Sequence, residues 1–317
     1  MGDWTPGRSG RWSRGQRIFS GFLGICILLG AISCSAGDPG APGPVVGVSL
    51  LTQQHDFYKD LEQALRRGAA ERGLVVQVVS AEFDPGRQAS QLEDFLARGV
   101  AAIVVSPCDS DGIVQSIRRA NARGVPVFTA DIAASGGDVV AHIASDNTQG
   151  GRLAAEAMAR FLGEAGEVVV LDHPEVASVR DRVEGFLARI AEFPGIEVVD
   201  RPSAGGTRDK AYTITENTLQ AHPDLRGIFG INDDSALGAL RAAGARDLVI
   251  IGYDATPEAR KAILSGSALK ADVIQHPDRI GAQAIAAVAD HLEGKAVPSH
   301  IKVEVGLVDR ESLGARD

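Results

Sequence analysis

Short Val- and Ile-rich runs recur along this chain with room for one helix between most of them, and that alternation restricts the fold more than any other feature. The runs are VVGVSLL (45–51), LVVQVVS (74–80), AAIVVS (101–106), VPVFTAD (125–131), EVVVLD (167–172), IEVVD (196–200), GIFGIN (227–232) and LVIIGYD (248–254). Between them FYKDLEQALRRGAAERG and RLAAEAMARFLGEAG carry helical spacing and stop at glycine. Runs this apolar are buried on both faces, which with intervening helices predicts parallel sheets made of right-handed crossovers.

An internal echo suggests two such units. Residues 103–131 and 228–254 share an order of strand, polar residue plus Asp, helix, glycine, strand and terminal Asp. The echo predicts two similar lobes, although two strands and a helix are also the ordinary grammar of α/β proteins. The chain's 317 residues suffice for one large or two ordinary domains.

The N-terminus reads differently. Arg8, Arg11, Arg14 and Arg17 precede an apolar stretch within GFLGICILLGAISC (21–34) that is too short and too glycine-rich for a membrane span. Residues 1–33 are therefore expected to be a signal peptide. The ending AISC resembles a bacterial lipobox, which would make Cys34 the lipidated first residue, with plain cleavage and release as the alternative. Residues 34–44 follow as a Gly- and Pro-rich flexible tether.

Removing residues 1–33 takes four arginines and one aspartate and leaves 28 basic against 40 acidic residues, a formal charge of −12. That balance excludes nucleic acid as a partner. Cys26 leaves with the signal and Cys34 carries lipid, so Cys108 has no partner for a disulfide and reads as a small turn residue.

In open parallel sheets ligands bind beyond the carboxyl ends of strands. Ser49, Ser106, Asp131, Asp172, Asn232, Tyr253, Asp254 and, after ALKADVIQ, Gln275 stand there. Hydroxyl, amide and carboxylate groups of this kind suit a ligand with several hydroxyls, each of which donates and accepts. The chain has no GxxxxGK[ST] loop, HExxH helix, GxSxG elbow or complete dinucleotide fingerprint. His173, His222 and His276 each precede proline and read as turn residues. No cofactor and no metal is expected.

From about Val45 to Val305 the chain resembles the periplasmic binding proteins of the ribose-binding type, the solute receptors of sugar ABC transporters. The segments that carry the resemblance are VVAHIASDNTQGG (139–151), AHPDLRGIFGINDDSALGALRA (221–242), VIIGYDATPEARKAI (249–263) and VIQHPDRIGAQA (273–284). It implies an α/β fold of two Rossmann-like lobes with parallel sheets joined by a three-crossover hinge, the type I periplasmic binding protein fold. The first lobe would comprise 45–146 plus 277–305 and the second 147–275 plus 306–317.

The resemblance also implies the site. HDFYKD places Phe57 and Tyr58 on the first-lobe wall, where flat rings can lie against a sugar's C–H face. Asp131 matches the family's hydroxyl-binding aspartate. Arg180 in SVRDRVEGF matches its arginine, with Arg182 as the neighbour that could take its place. Asn232, Asp254 and Gln275 complete the polar set, and Tyr253 replaces the usual phenylalanine.

Four departures bear on the ligand. His55 and Ser106 replace asparagines, Ile132 replaces an arginine and Gly206 an aromatic ring, so a monosaccharide other than ribose is expected. His55 and Asp56 are expected to supply the missing polar contacts, with capping of the helix that starts at Phe57 as the alternative role of Asp56.

The implied function is an extracytoplasmic, non-enzymatic receptor. It would work as a monomer, periplasmic or at the cell surface, anchored to a membrane through Cys34, and would deliver a monosaccharide to an ABC permease. The alternative is a receptor that presents bound sugar to a chemoreceptor or sensor kinase.

Overall fold

A computed structural model describes residues 1–2 and 43–315, so the signal, Cys34 and most of the tether lie outside the described residues. The apolar runs form strands. One sheet contains β1 (Val45–Leu50), β2 (Val75–Ser80), β3 (Ala102–Val105), β4 (Val127–Ala130), β5 (Val139–Ser145) and β11 (His300–Val303), in the order β11-β5-β4-β3-β1-β2. The second contains β6 (Gly166–Leu171), β7 (Ile196–Asp200), β8 (Leu225–Gly230), β9 (Val249–Asp254), β10 (Leu269–Ile274) and β12 (Gly306–Asp309), in the order β12-β10-β9-β8-β6-β7.

The first five strands of each sheet follow the same path, so the internal echo is the visible part of a lobe-sized correspondence. Its segments fall on β3–β4 and β8–β9, the third and fourth strands of each lobe. The sixth strands break the symmetry. β11 runs parallel to β5, whereas β12 is antiparallel to β10.

Helices α1 (Asp56–Glu71), α2 (Pro85–Arg98), α3 (Val114–Ala122) and α9 (Pro277–Leu292) cover the first sheet. Helices α4 (Asn147–Leu162), α5 (Ala177–Ile190), α6 (Arg208–Ala221), α7 (Asp233–Ala243), α8 (Pro257–Leu264) and α10 (Arg310–Gly314) belong to the second. Their ends follow local chemistry. The Asp146 side chain accepts the Gln149 N–H at the start of α4, and Gly163 closes that helix with φ 65°.

Three times the chain leaves one sheet for the other: between β5 and α4, between β10 and α9, and between β11 and β12. This is the two-lobed α/β arrangement that the resemblance implies. Strands β5, β10, β11 and β12 have no counterpart among the apolar runs, because His142 interrupts the first, Lys270 and Asp272 interrupt the second, and exposed edge strands such as HIKV need no continuous apolar face.

Helices α4 and α5 approach closely. A Cβ at Gly151 would stand 1.9 Å from the Arg182 carbonyl oxygen, and one at Gly185 would stand 2.1 Å from that of Thr148. Backbone therefore meets backbone where the two helices cross.

Candidate functional site

Loops from the carboxyl ends of both sheets enclose a narrow cavity lined by side chains of both lobes. The lobes meet around it. His55 Nε2 lies 3.4 Å from Asp234 Oδ2, the Ser110 N–H donates to the Glu175 carbonyl at 3.1 Å, and the Ala177 N–H donates to Ser110 Oγ at 2.9 Å. Residues 55 and 110 belong to the first lobe, and their partners to the second.

Two aspartates at matching places in the two lobes point into this space. Asp131 follows β4 and Asp254 ends β9, and both adopt positive φ, 69° and 124°, which costs a non-glycine residue energy unless its surroundings hold it. Tyr58 Oη donates to Asp131 Oδ2 at 2.7 Å, and Gln275 Nε2 donates to Asp254 Oδ1 at 2.7 Å. Burial raises Asp131 to about 6, partly offset by the Tyr58 bond and by Arg182. Burial raises Asp254 well above the ordinary carboxylate range, with the charge of Asp233 adding to it and Arg182 opposing it.

The cation whose charge acts on both is Arg182, which lines the same cavity and is 4% exposed. Its guanidinium lies 3.4 Å over the Tyr253 ring. It donates to the Ile231 carbonyl and, at 2.8 Å, to Asn147 Oδ1. Its Nε and the Oε1 of Gln275 have no hydrogen-bond partner among the described residues, although both residues line the cavity. A polar ligand that donates and accepts would satisfy both atoms.

Arg180 is not at the site, which corrects the expectation. Two residues on an α-helix are separated by about 200°, so Arg180 and Arg182 face opposite sides of α5. Arg180 Nη1 donates to the Pro174 carbonyl at 2.8 Å, and Nη2 reaches Ser135 Oγ of the first lobe at 3.4 Å, an exposed contact between lobes.

His55, Phe57, Tyr58, Asp131, Asn232, Asp254 and Gln275 line the cavity, as do Ile132 and Gly206. Two expected residues stand behind it. Ser106 is fully buried, with its hydroxyl committed to the Ala130 carbonyl at 2.8 Å. Tyr253 is also fully buried and supports Arg182, because strand alternation turns it away from the side that Asp254 faces. Asn232 caps α7 through its Oδ1 and donates from Nδ2 to the Gly206 carbonyl at 2.9 Å, so part of its capacity is structural.

Phe83 and His173 also line the cavity and were not anticipated. Phe83 packs edge-on to His55 with centroids 5.3 Å apart. His173 follows β6 at a strand's carboxyl end, and reading Pro174 as a turn signal hid it. Its Nδ1 lies 3.2 Å from where a Gly206 Cβ would stand, so the imidazole occupies the side on which ribose receptors carry an aromatic ring.

Cys108 is buried, and burial pushes its thiol up to about 12, far from thiolate chemistry. Among the described residues no cluster of three or more His, Cys, Asp or Glu could hold a metal ion, and no helix is long and apolar enough to cross a membrane.

Comparison with known proteins places these features in a wider set. A sequence model of the periplasmic binding protein domain matches residues 46–296. The ribose import binding protein RbsB of Bacillus subtilis is 38% identical over 265 residues, 83% of this chain and 86% of that protein. The Escherichia coli protein of the same name is 32% identical over 285 residues, 89% of this chain and 96% of its own. A solute-binding protein of an ABC transporter from Mycobacterium smegmatis, solved with bound glycerol, superposes with a TM-score of 0.82 at 32% identity and covers 86% of this chain and 96% of its own.

Proposed function

The chain belongs to the periplasmic binding protein family, and from that premise we propose that it captures a neutral monosaccharide between its lobes and hands it to an ABC permease. The observation that carries this reading is the cavity's polar set. Arg182 stands among Asp131, Asp254 and Gln275, with atoms left unpaired inside the protein, and the rings of Phe57, Tyr58 and Phe83 line the remaining wall. One buried cation against two carboxyls disfavours phosphorylated or acidic sugars. Ile132 and Gly206 in the wall support a monosaccharide other than ribose.

The receptor acts as a monomer, releases its ligand unchanged and works outside the cytoplasm. Sheet membership supports lobe limits of 45–146 with 277–305 and of 147–275 with 306–317. The basic and apolar N-terminal sequence supports a signal over 1–33, lipid attachment at Cys34 and a tether to residue 44. Cys34→Ala should abolish acylation and free the protein from membranes. Retention of the variant with an intact N-terminus would point to an uncleaved anchor instead.

The test of ligand class is thermal unfolding of the protein from residue 35 onward, scanned against ribose, other pentoses, hexoses, disaccharides and polyols. A ligand at 100 times its Kd adds about 2.7 kcal/mol of stability. One monosaccharide should give a clear shift, and no shift with any sugar or polyol would refute the reading.

The shift should be smaller at about pH 5 than at about pH 7.5. Asp131 is raised in the folded protein, so its contribution to unliganded stability is full below the ordinary carboxylate value and is lost as pH rises through about 6. Binding has the opposite sign, because a sugar hydroxyl donates to the carboxylate that exists only above that value.

A further inference from the structure

Beneath the loop that carries Asp254 lie two more carboxyls whose hydrogen bonds run to backbone rather than to a cation. Asp233, the first residue of α7, is 2% exposed, and Asp272 on β10 is fully buried. Asp272 Oδ1 accepts the Ala255 N–H at 3.1 Å, and Asp233 Oδ2 accepts the Thr256 N–H at 2.6 Å. Their other oxygens, Asp272 Oδ2 and Asp233 Oδ1, have no donor among the described residues. Both sit over Gly252, where a Cβ would approach them to 2.5 and 3.0 Å.

Carboxylates only accept, so crowding these two oxygens over one glycine is repulsive unless one carries hydrogen. We propose that Asp233 and Asp272 share one proton and together position the loop between β9 and α8, holding Asp254 in the cleft. The loop needs such a clamp. Asp254 and Ala255 both have positive φ, 124° and 56°, and Ala255 and Thr256 supply the two amides that the pair receives. Gly252 leaves room for the pair.

The surrounding charges favour keeping the proton. Asp254 on β9 and Asp234 on α7 add negative charge near the pair. Arg208 of α6 is bound to Asp234 and Glu258, and Arg260 of α8 donates from Nε to the Ala255 carbonyl at 2.6 Å. Arg182 of α5 acts on Asp254. β12 places Val308 opposite Asp272. Burial raises both carboxyls, Asp272 well above its ordinary range, and the Asp233 charge raises it further.

The sign follows from the direction of the shift. Stability from the shared proton is complete below the ordinary carboxylate value and is lost as pH rises through the raised one. Asn at 272 would accept from the Ala255 N–H through oxygen and donate to Asp233 through nitrogen, with nothing to titrate.

The proposal rests on the cleft reading only in making Asp254 a ligand contact, so its test uses no sugar. Infrared difference spectra between the wild type and Asp272→Asn, hydrogen exchange at Ala255 and Thr256, and thermal unfolding are followed from about pH 6 to pH 10. The wild type should show a protonated-carboxyl band that the variant lacks. That band should fade at alkaline pH together with protection of the two amides and part of Tm, while Asp272→Asn keeps both amides protected and loses only the part of Tm that Asp131 and Asp254 titrate away. Asp272→Leu should exchange both amides about tenfold faster or more at every pH. If Asp272→Leu does not fold, Asp233→Asn should lose the same band.

An Asp272→Asn spectrum identical to that of the wild type would overturn the proposal. So would unchanged exchange in Asp272→Leu, or a stoichiometric divalent metal in the purified protein. Failure of all sugars to bind would refute the receptor reading and leave these outcomes as they stand.

Discussion

Arg182→Ala should weaken sugar binding by at least about a hundredfold, because truncating one member of a buried hydrogen-bonded charge set costs several kcal/mol. Arg180→Ala should leave affinity within about threefold, the range of exposed polar contacts. The contrast comes from placement alone. Arg182 lines the cavity with its guanidinium over the buried Tyr253 ring, whereas Arg180 bonds a carbonyl and a serine away from that lining. Lysine at 182 should not rescue binding, since a point charge cannot keep a flat face on Tyr253 while bonding Asn147 and the Ile231 carbonyl. Calorimetric titration of the three variants, with circular dichroism to show that each is folded, decides the matter. Loss of binding in Arg180→Ala with retention in Arg182→Ala would reverse the assignment.

The second large effect falls on stability. Gly151→Ala should lower Tm by roughly 10 °C or more, because a Cβ 1.9 Å from the Arg182 carbonyl meets backbone that cannot rotate away. Helices α4 and α5 must then separate, and α5 carries Arg182, so binding should weaken along with stability. Gly314→Ala, where nothing lies within 4 Å of the added carbon, serves as the control and should leave Tm nearly unchanged. A Gly151→Ala protein as stable as the wild type would mean that the helices do not cross as closely as described.

Much of the architecture was legible in the sequence because strands buried on both faces cannot hide among polar residues. Strands β5 and β10, broken by His142 and by Lys270 and Asp272, and the edge strands β11 and β12, which need only a partly apolar side, were less visible. At the site, the two aspartates could be read because each closes the same strand–helix–strand segment. The arginine was misplaced although helical period alone distinguishes the candidates. Val179, Arg182, Val183, Phe186 and Ile190 form one buried stripe of α5, and Arg180 falls outside it. A charged residue within an apolar stripe was the available signal.

Phe83 gave a weaker one. It sits at φ 60° in the turn after β2, a conformation that letters alone do not disclose. Ser106 and Tyr253 stand at the right strand ends but face inward, and only packing reveals which way such a residue turns. Cys34 and the signal lie outside the described residues.

The interleaved path of the chain also bears on how its lobes depend on one another. Strand β11 completes one sheet and β12 the other, and both lie after residue 299, while α9 returns to pack beside α1. Without those two strands each sheet lacks one of its edges. The pairing of His142 with His300 closes a long loop that contains all of the second lobe except β12 and α10. Each lobe is thus completed by a segment that arrives from beyond the other, so neither can be cut from the chain as one continuous piece.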